Sequence, residues 1–207
     1  MYLRRSLLRL ALLAAVLAAP ASVLGQVPNY DAFVVFGDSI SDTGNAWMLT
    51  KSAGIDPALP PSETPHETYF RGRFSNGPVM FEHLWDKLNK NGGSIVPSLT
   101  ITQLPPRTAV SFAFGTSGTD ATCAPVPGLL CQVGLFAQSL IGTQPSKRTL
   151  YAIFSGGTDV LSAPNPFDPA VVGQVAATIR QRMRLTGARY ALAPVFDIAR
   201  DPRWGRI

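Results

Sequence analysis

The hydrophobic positions along this chain change period repeatedly, and the changes mark out elements. "AFVVFG" (32–37), "TAVSFAFG" (108–115) and "TLYAIFSGG" (149–157) are short apolar, β-branched or aromatic runs ending in glycine, and each predicts a strand. "ARYALAPVF" (188–196) predicts a fourth. Between them the period lengthens. "FSNGPVMFEHLWDKLN" (74–89) predicts a helix, with Ser75 or Asn76 as cap and Pro78 in the first turn. Its apolar face is expected to carry Val79, Leu84 and Leu88, with Phe81 or Trp85 at the border. "CQVGLFAQSLIG" (131–142) predicts a shorter helix. "FDPAVVGQVAATIRQRMRLTG" (167–187) is the clearest one: Asp168 caps, Pro169 opens, Gly187 stops, and Val171, Val172, Val175, Ile179 and Met183 form the stripe.

Strands that alternate with helices pair in parallel, with the helices on the sheet faces. The fold class is therefore α/β, and sites in such sheets form beyond the carboxyl ends of the strands. Three polar, glycine-bearing stretches fall at those ends: "GDSISDTGN", "GTSGTDAT" and "GGTDVL". The Pro-rich stretch "IDPALPPSETPHETYF" (55–70) is expected to be a surface loop near the site mouth.

Residues 1–25 stand apart. Arg4, Arg5 and Arg9 precede an apolar run from Leu10 to Ala19, and small residues follow at Ala19–Ala21 and Val23–Gly25. This is the layout of a secretory signal peptide, with cleavage after Ala21 or Gly25. A membrane anchor is the alternative, but the run is short against the roughly 20 residues of a span. The expected divisions are a signal peptide (1–25), an α/β domain (26–190) and a fourth strand with a tail (191–207). The expected location is outside the cytoplasm.

Removing three arginines lowers the net charge from +5 to +2, and no block of like charge remains to suggest nucleic acid or a stable membrane association. Export permits disulfides. Cys123 and Cys131, the only cysteines, flank "APVPGLL" and are expected to bridge; two buried or unpaired thiols are the alternative. No metal or other cofactor is expected, because no histidine accompanies the cysteines.

Ser39, two residues past the first strand, is placed to act as a nucleophile; as plain structure it would cap the following turn. At this point a resemblance enters. "FGDSISDTGN" resembles the first block of the GDSL esterase/lipase family, the SGNH hydrolases, with Ser39 at the nucleophile position. "YFRGRFSNGPVMFEHL" (69–84) is similar to the segment that follows in its secreted members. "SFAFGTSGTD" (111–120) and "FSGGTDVL" (154–161) occupy the places of the second and third blocks.

The resemblance covers about residues 32–189. It implies a three-layer, flavodoxin-like parallel sheet and a secreted carboxylic-ester hydrolase. The substrate would be an acyl lipid, an acetylated polysaccharide or a small ester. It also implies oxyanion donors at the backbone of Ser39, at the Gly115–Thr116 pair and at Thr158. Thr116 replaces an expected glycine and Thr158 an expected asparagine. Asp38 and Asp159 are expected to brace their turns. The family's base is a histidine in a D-x-x-H block, and this sequence holds only His66 and His83, neither in such a block.

Residues 193–207, "APVFDIARDPRWGRI", instead resemble a motif of family 3 glycoside hydrolases, the β-glucosidase group, in which the arginine matching Arg200 holds sugar. The combination reads as a truncated or joined frame. The expected chain is an impaired esterase; an inactive fragment or a binding module for carbohydrate or lipid esters is the alternative, and a glycosidase fragment is a third.

Overall fold

The computed structural model describes residues 29–89, 93–165 and 168–185. Its centre is a four-stranded, all-parallel sheet of β1 (Ala32–Gly37), β2 (Ile95–Pro97), β3 (Ala109–Ser111) and β4 (Thr149–Phe154), in the order β2-β3-β1-β4. The helices are α1 (Asn45–Ser52), α2 (Met80–Leu88), α3 (Leu129–Ser139), α4 (Gly157–Leu161) and α5 (Pro169–Leu185).

β1 is buried along its whole length, as a central parallel strand covered on both faces must be. Its side chains alternate between two cores. Phe33 and Val35 pack with Phe81 and Trp85 of α2, with Ile95 and with Ala109. Val34 and Phe36 pack on the other face with Val110, Phe112 and Leu129, and with Val133 and Phe136 of α3. Stacked and edge-on ring pairs lie in both layers: Phe33–Trp85 at 5.6 Å and Phe36–Phe136 at 5.6 Å. The architecture is thus three-layered, helix–sheet–helix, as the alternation of periods predicts.

Several boundaries differ from the sequence expectation. α2 begins at Met80, not at residue 74. Neither Ser75 nor Asn76 caps it; the Val79 N–H is met by the Glu82 carboxylate at 2.8 Å. Its buried face is Phe81 and Trp85, while Leu84 is exposed. The aromatic pair wins because the sheet beneath offers Phe33 to stack on. α3 runs over 129–139 and is capped at Gly128, not over 131–142. β3 closes at Ser111, yet the chain keeps bonding to β1 through Phe112 N–H to Val35 O (2.7 Å) and Phe114 N–H to Gly37 O (3.2 Å).

α5 starts at Pro169 with Asp168 accepting the Ala170 N–H at 2.8 Å, as its pattern predicts. Val171, Val172, Val175 and Ile179 of its stripe are half-buried. β2, α1 and α4 are short elements that the apolar period does not announce. The signal-peptide segment, the strand expected at 188–196 and the tail at 193–207 lie outside the described residues.

The connections leave β1 in two directions. Through α1 and α2 the chain reaches β2 and β3 on one side of β1; through α3, on the opposite face, it returns to β4 on the other side. Such a switch point opens a crevice at the carboxyl end of the strand. The loop carrying Ser39 starts there.

Candidate functional site

The loop after β1 is built around its own acids. Gly37 has a left-handed φ of +147°, and a Cβ there would lie 2.0 Å from the Phe154 carbonyl oxygen, so only glycine lets β1 end against β4 in this way. Asp38 follows, buried, its N–H donating to Phe154 O at 3.2 Å. Its Oδ1 accepts the Ile40 N–H at 3.2 Å, which closes the turn that displays half-buried Ser39. Burial pushes the Asp38 carboxyl above the usual carboxylate range; the Ile40 and Gly157 N–H groups oppose the shift, and the nearby Asp159 adds to it.

Asp42 is the hub of the loop. It is fully buried and accepts four backbone N–H groups: Gly44 (2.7 Å), Asn45 (2.6 Å), Ala46 (3.0 Å) and, from the β3 loop, Gly115 (2.8 Å). Burial pushes its pKa up while those donors pull it down. Three of them belong to the start of α1, where a carboxylate satisfies otherwise orphaned N–H groups. Asn45 then spans the sheet edge. Its amide donates to Ser111 O (2.8 Å) and Ala113 O (2.9 Å), and its Oδ1 accepts from Leu99 N–H (3.1 Å).

The other two loops are tied to the first. Buried Gln132 of α3 accepts the Gly37 N–H (2.9 Å) and donates to Gly37 O (2.9 Å) and Ser117 Oγ (3.1 Å). Asp159 of α4 accepts the Thr119 N–H at 2.9 Å and the Thr119 hydroxyl at 2.6 Å. Arg182 of α5 completes this bridge, donating to Thr119 Oγ1 (3.0 Å) and Asp159 Oδ1 (3.2 Å). Cys123 and Cys131 form a disulfide with Cα atoms 5.5 Å apart, fastening the same loop to α3. Asp38 and Asp159 thus both make side-chain bonds to backbone N–H groups in these loops.

The three loops still hold several donors without a partner, the buried hydroxyls of Thr43 and Ser155 among them. The Gly115 N–H is engaged by Asp42, and a Cβ on Gly115 would overlap the Phe74 ring at 1.9 Å. Gly115 is therefore a spacer under an aromatic wall, and the N–H open to a ligand in that pair is that of Thr116. Among the described residues the Ser39 N–H, the Thr116 N–H and the Thr158 hydroxyl carry no intramolecular bond. Thr116 is exposed and sits at φ +67°, the left-handed conformation in which glycine is the easy occupant. Threonine holds this backbone shape at a cost in strain.

The histidines are elsewhere in character. His66 is exposed in the 55–70 loop, its backbone tied to Glu63 O (2.6 Å) and Thr68 N–H (2.9 Å). His83 is on the exposed side of α2. Neither imidazole has a partner among the described residues. No group of three or more His, Cys, Asp or Glu side chains able to hold a metal occurs among them either.

Sequence reading missed Asp42, Asn45, Gln132, Thr119 and Arg182. The acid three residues before a helix start was a usable signal for Asp42. Gln132 and Arg182 act across 95 and 63 residues of chain, and no local pattern could reveal them.

Fold and site together define a parallel α/β protein with a serine loop at its switch point. No family model matches the chain. It is 42% identical over 74 residues to a phosphatidylcholine-sterol acyltransferase of Aeromonas hydrophila, a match covering 36% of this chain. The aligned part spans 17% of that protein's length. At the level of broad family the likeness is to an enzyme of acyl transfer.

Proposed function

We propose that this chain is an exported serine ester hydrolase or acyltransferase of GDSL type, acting on lipid esters through Ser39. The observation that carries the reading is the half-buried Ser39 on the turn beyond the carboxyl end of β1, in a loop tied to those that follow β3 and β4. Among the donors of these loops that take no bond within the described residues are the Ser39 N–H, the Thr116 N–H and the Thr158 hydroxyl. The sequence resemblance assigns those three the role of meeting the oxyanion formed when Ser39 attacks an ester carbonyl.

In this mechanism Ser39 Oγ forms the bond to the carbonyl carbon as its proton passes to solvent water, which returns a proton to the departing alcohol. The developing oxyanion takes hydrogen bonds from the two N–H groups and the Thr158 hydroxyl, and the alcohol then leaves. Water or a second alcohol attacks the acyl-enzyme to complete hydrolysis or transfer. The partial likeness to a phosphatidylcholine-sterol acyltransferase supports a lipid acyl donor, and the basic, apolar, small-residue N-terminal segment supports export.

Neither His66 nor His83 is engaged with the site, so the proton of Ser39 has no acceptor among the described residues. A second reading, binding of lipid esters without turnover, rests on that observation. A panel of p-nitrophenyl esters from butyrate to palmitate, on the wild type and Ser39→Ala, separates the two. Slow hydrolysis that depends on Ser39 and favours longer acyl chains supports the enzyme. Chain-length-dependent binding with no Ser39-dependent release supports the binder.

A further inference from the structure

The loop after β3 and the start of α3 are closed on each other by the Cys123–Cys131 bond. The two sulfurs differ in access: Cys123 is exposed, whereas Cys131, in the first turn of α3, is buried. α3 has no side-chain cap. Its first N–H groups go instead to carbonyls of the loop, Leu129 to Gly118 (2.9 Å) and Leu130 to Asp120 (3.0 Å), with the Gly128 N–H on Thr122 O at 2.7 Å. The loop is thus the cap of the helix, and the disulfide holds that cap in place.

The residue after Cys131 carries this to the site. Gln132 is fully buried, and both ends of its amide are engaged. Its Oε1 accepts the Gly37 N–H (2.9 Å), and its Nε2 donates to Gly37 O (2.9 Å), Ser117 Oγ (3.1 Å) and Pro127 O (3.0 Å). Ser117 Oγ in turn donates to Gly37 O at 2.8 Å. Gly37 ends β1 just before Asp38 and Ser39, and Ser117 follows Thr116. One side chain, next to the buried half of the disulfide, therefore fixes the strand end that leads to the serine against the loop that the disulfide closes.

We propose that the Cys123–Cys131 bond is a redox latch on the Ser39 site. Oxidised, it fixes the strand end before Ser39; reduction by an external dithiol frees that end and the loop together while the sheet stays folded. A thiolate of the dithiol attacks the exposed Cys123 Sγ and the S–S bond breaks. Cys131 leaves as a thiolate in the first turn of α3, where the helix dipole favours negative charge, and then takes a proton. The second thiol attacks the mixed disulfide and expels Cys123 as a thiol. The dithiol is oxidised by two electrons to its cyclic disulfide, and the two cysteines are reduced. The sheet does not depend on the bond, because β1 pairs with β3 and β4 along its own length. The inference rests on the Ser39 reading and adds regulation to it: with export, the site becomes fixed once the bond forms outside the cytoplasm.

The test follows amide exchange by NMR in the full chain, oxidised and after dithiothreitol. The Gly37, Leu129 and Leu130 amides should exchange about ten-fold faster in the reduced chain, with Val34 and Val35 unchanged. The double variant Cys123→Ala, Cys131→Ala should match the reduced chain. Gln132→Met should show the faster exchange at Gly37 with the bond intact, and reduction should add little there. In parallel, Ser39 is labelled with a fluorophosphonate, whose phosphorus bonds to Ser39 Oγ as fluoride leaves and the hydroxyl proton passes to water. Reduction should slow this labelling about ten-fold, as a displaced reacting group does.

A bond that dithiothreitol leaves intact in the folded chain overturns the latch. So does exchange at Gly37 that is equal in both states, or a full further rise there when Gln132→Met is reduced. Exchange that rises equally at Val34 and Val35 would make the disulfide a staple of the whole fold, and Ser39 labelled equally fast in both states would remove its control of the site. If exchange changes as expected and no phosphonate reaches Ser39 in either state, the nucleophile reading fails and the latch stands.

Discussion

At the residue scale, Asp42 does more than any other side chain to set the serine loop. Replacing it with alanine removes the acceptor for three first-turn N–H groups and for the buried N–H of Gly115. Loss of a cap costs about 1 kcal/mol, and a buried unpaired N–H about 1–3 kcal/mol. The expected destabilisation is about 2–4 kcal/mol, read from urea unfolding. Asp42→Asn should recover only part of it, since its amide nitrogen would face N–H donors. Thr116 gives the opposite sign. A left-handed residue with a Cβ costs about 1–2 kcal/mol, partly offset by the unfolded-state entropy of glycine. Thr116→Gly should therefore stabilise the protein by up to about 1 kcal/mol.

Asp38 supplies a pH signature. Its native pKa is raised, chiefly by burial, so the folded state holds this proton more tightly than the unfolded chain does. Its contribution favours folding below the unfolded value of about 3.9 and is lost as pH rises through the raised native value. Asp120, lowered mainly by hydrogen bonds with Thr122, contributes in the other direction, present above about 3.9 and lost on acidification. Asp38→Asn keeps an acceptor for the Ile40 N–H and removes the first dependence. The stability of that variant relative to the wild type should rise between pH 3.5 and 7; a flat difference over that range counts against a buried, raised Asp38.

At the scale of elements, legibility followed period and length. β1 and α5 were readable because an uninterrupted apolar run and a seventeen-residue stripe with a proline start state their own type. α2 was readable as a helix but not in its facing, because burial of Phe81 and Trp85 is decided by Phe33 in another element. β2 and α4, three and five residues long, carry too few positions for any period. At the site, Ser39 and the three loops could be found from their glycines and acids, whereas the bridges among those loops could not.

One bridge is testable by itself. α5 reaches the site through Arg182, whose removal leaves Asp159 and Thr119 without their cation. Arg182→Met should cost about 1–2 kcal/mol, below the roughly 1.5–3 kcal/mol of hydrogen bonds to charged groups because the Arg182 side chain is 31% exposed. It should also speed amide exchange in residues 115–120 and 157–161 together, with β1 unchanged. Exchange that rises everywhere equally would mean that Arg182 stabilises the fold and not the bridge.

For the molecule as a whole, a sheet covered on both faces brings three loops to one edge, with a half-buried serine among them. The account's central claim is that Ser39 is a nucleophile with no histidine beside it among the described residues. Removing a triad member leaves roughly 10³–10⁴-fold catalysis over water in a well-formed site. With a strained Thr116 and the short Thr158 hydroxyl as donors, the residual rate here should be smaller. The direct measurement is turnover of p-nitrophenyl acetate by the purified chain, Ser39→Ala and His66→Ala. The account predicts slow turnover that Ser39→Ala abolishes and His66→Ala leaves unchanged. Turnover that survives Ser39→Ala would contradict the nucleophile, and fast turnover lost in both variants would show that the 55–70 loop supplies a base after all.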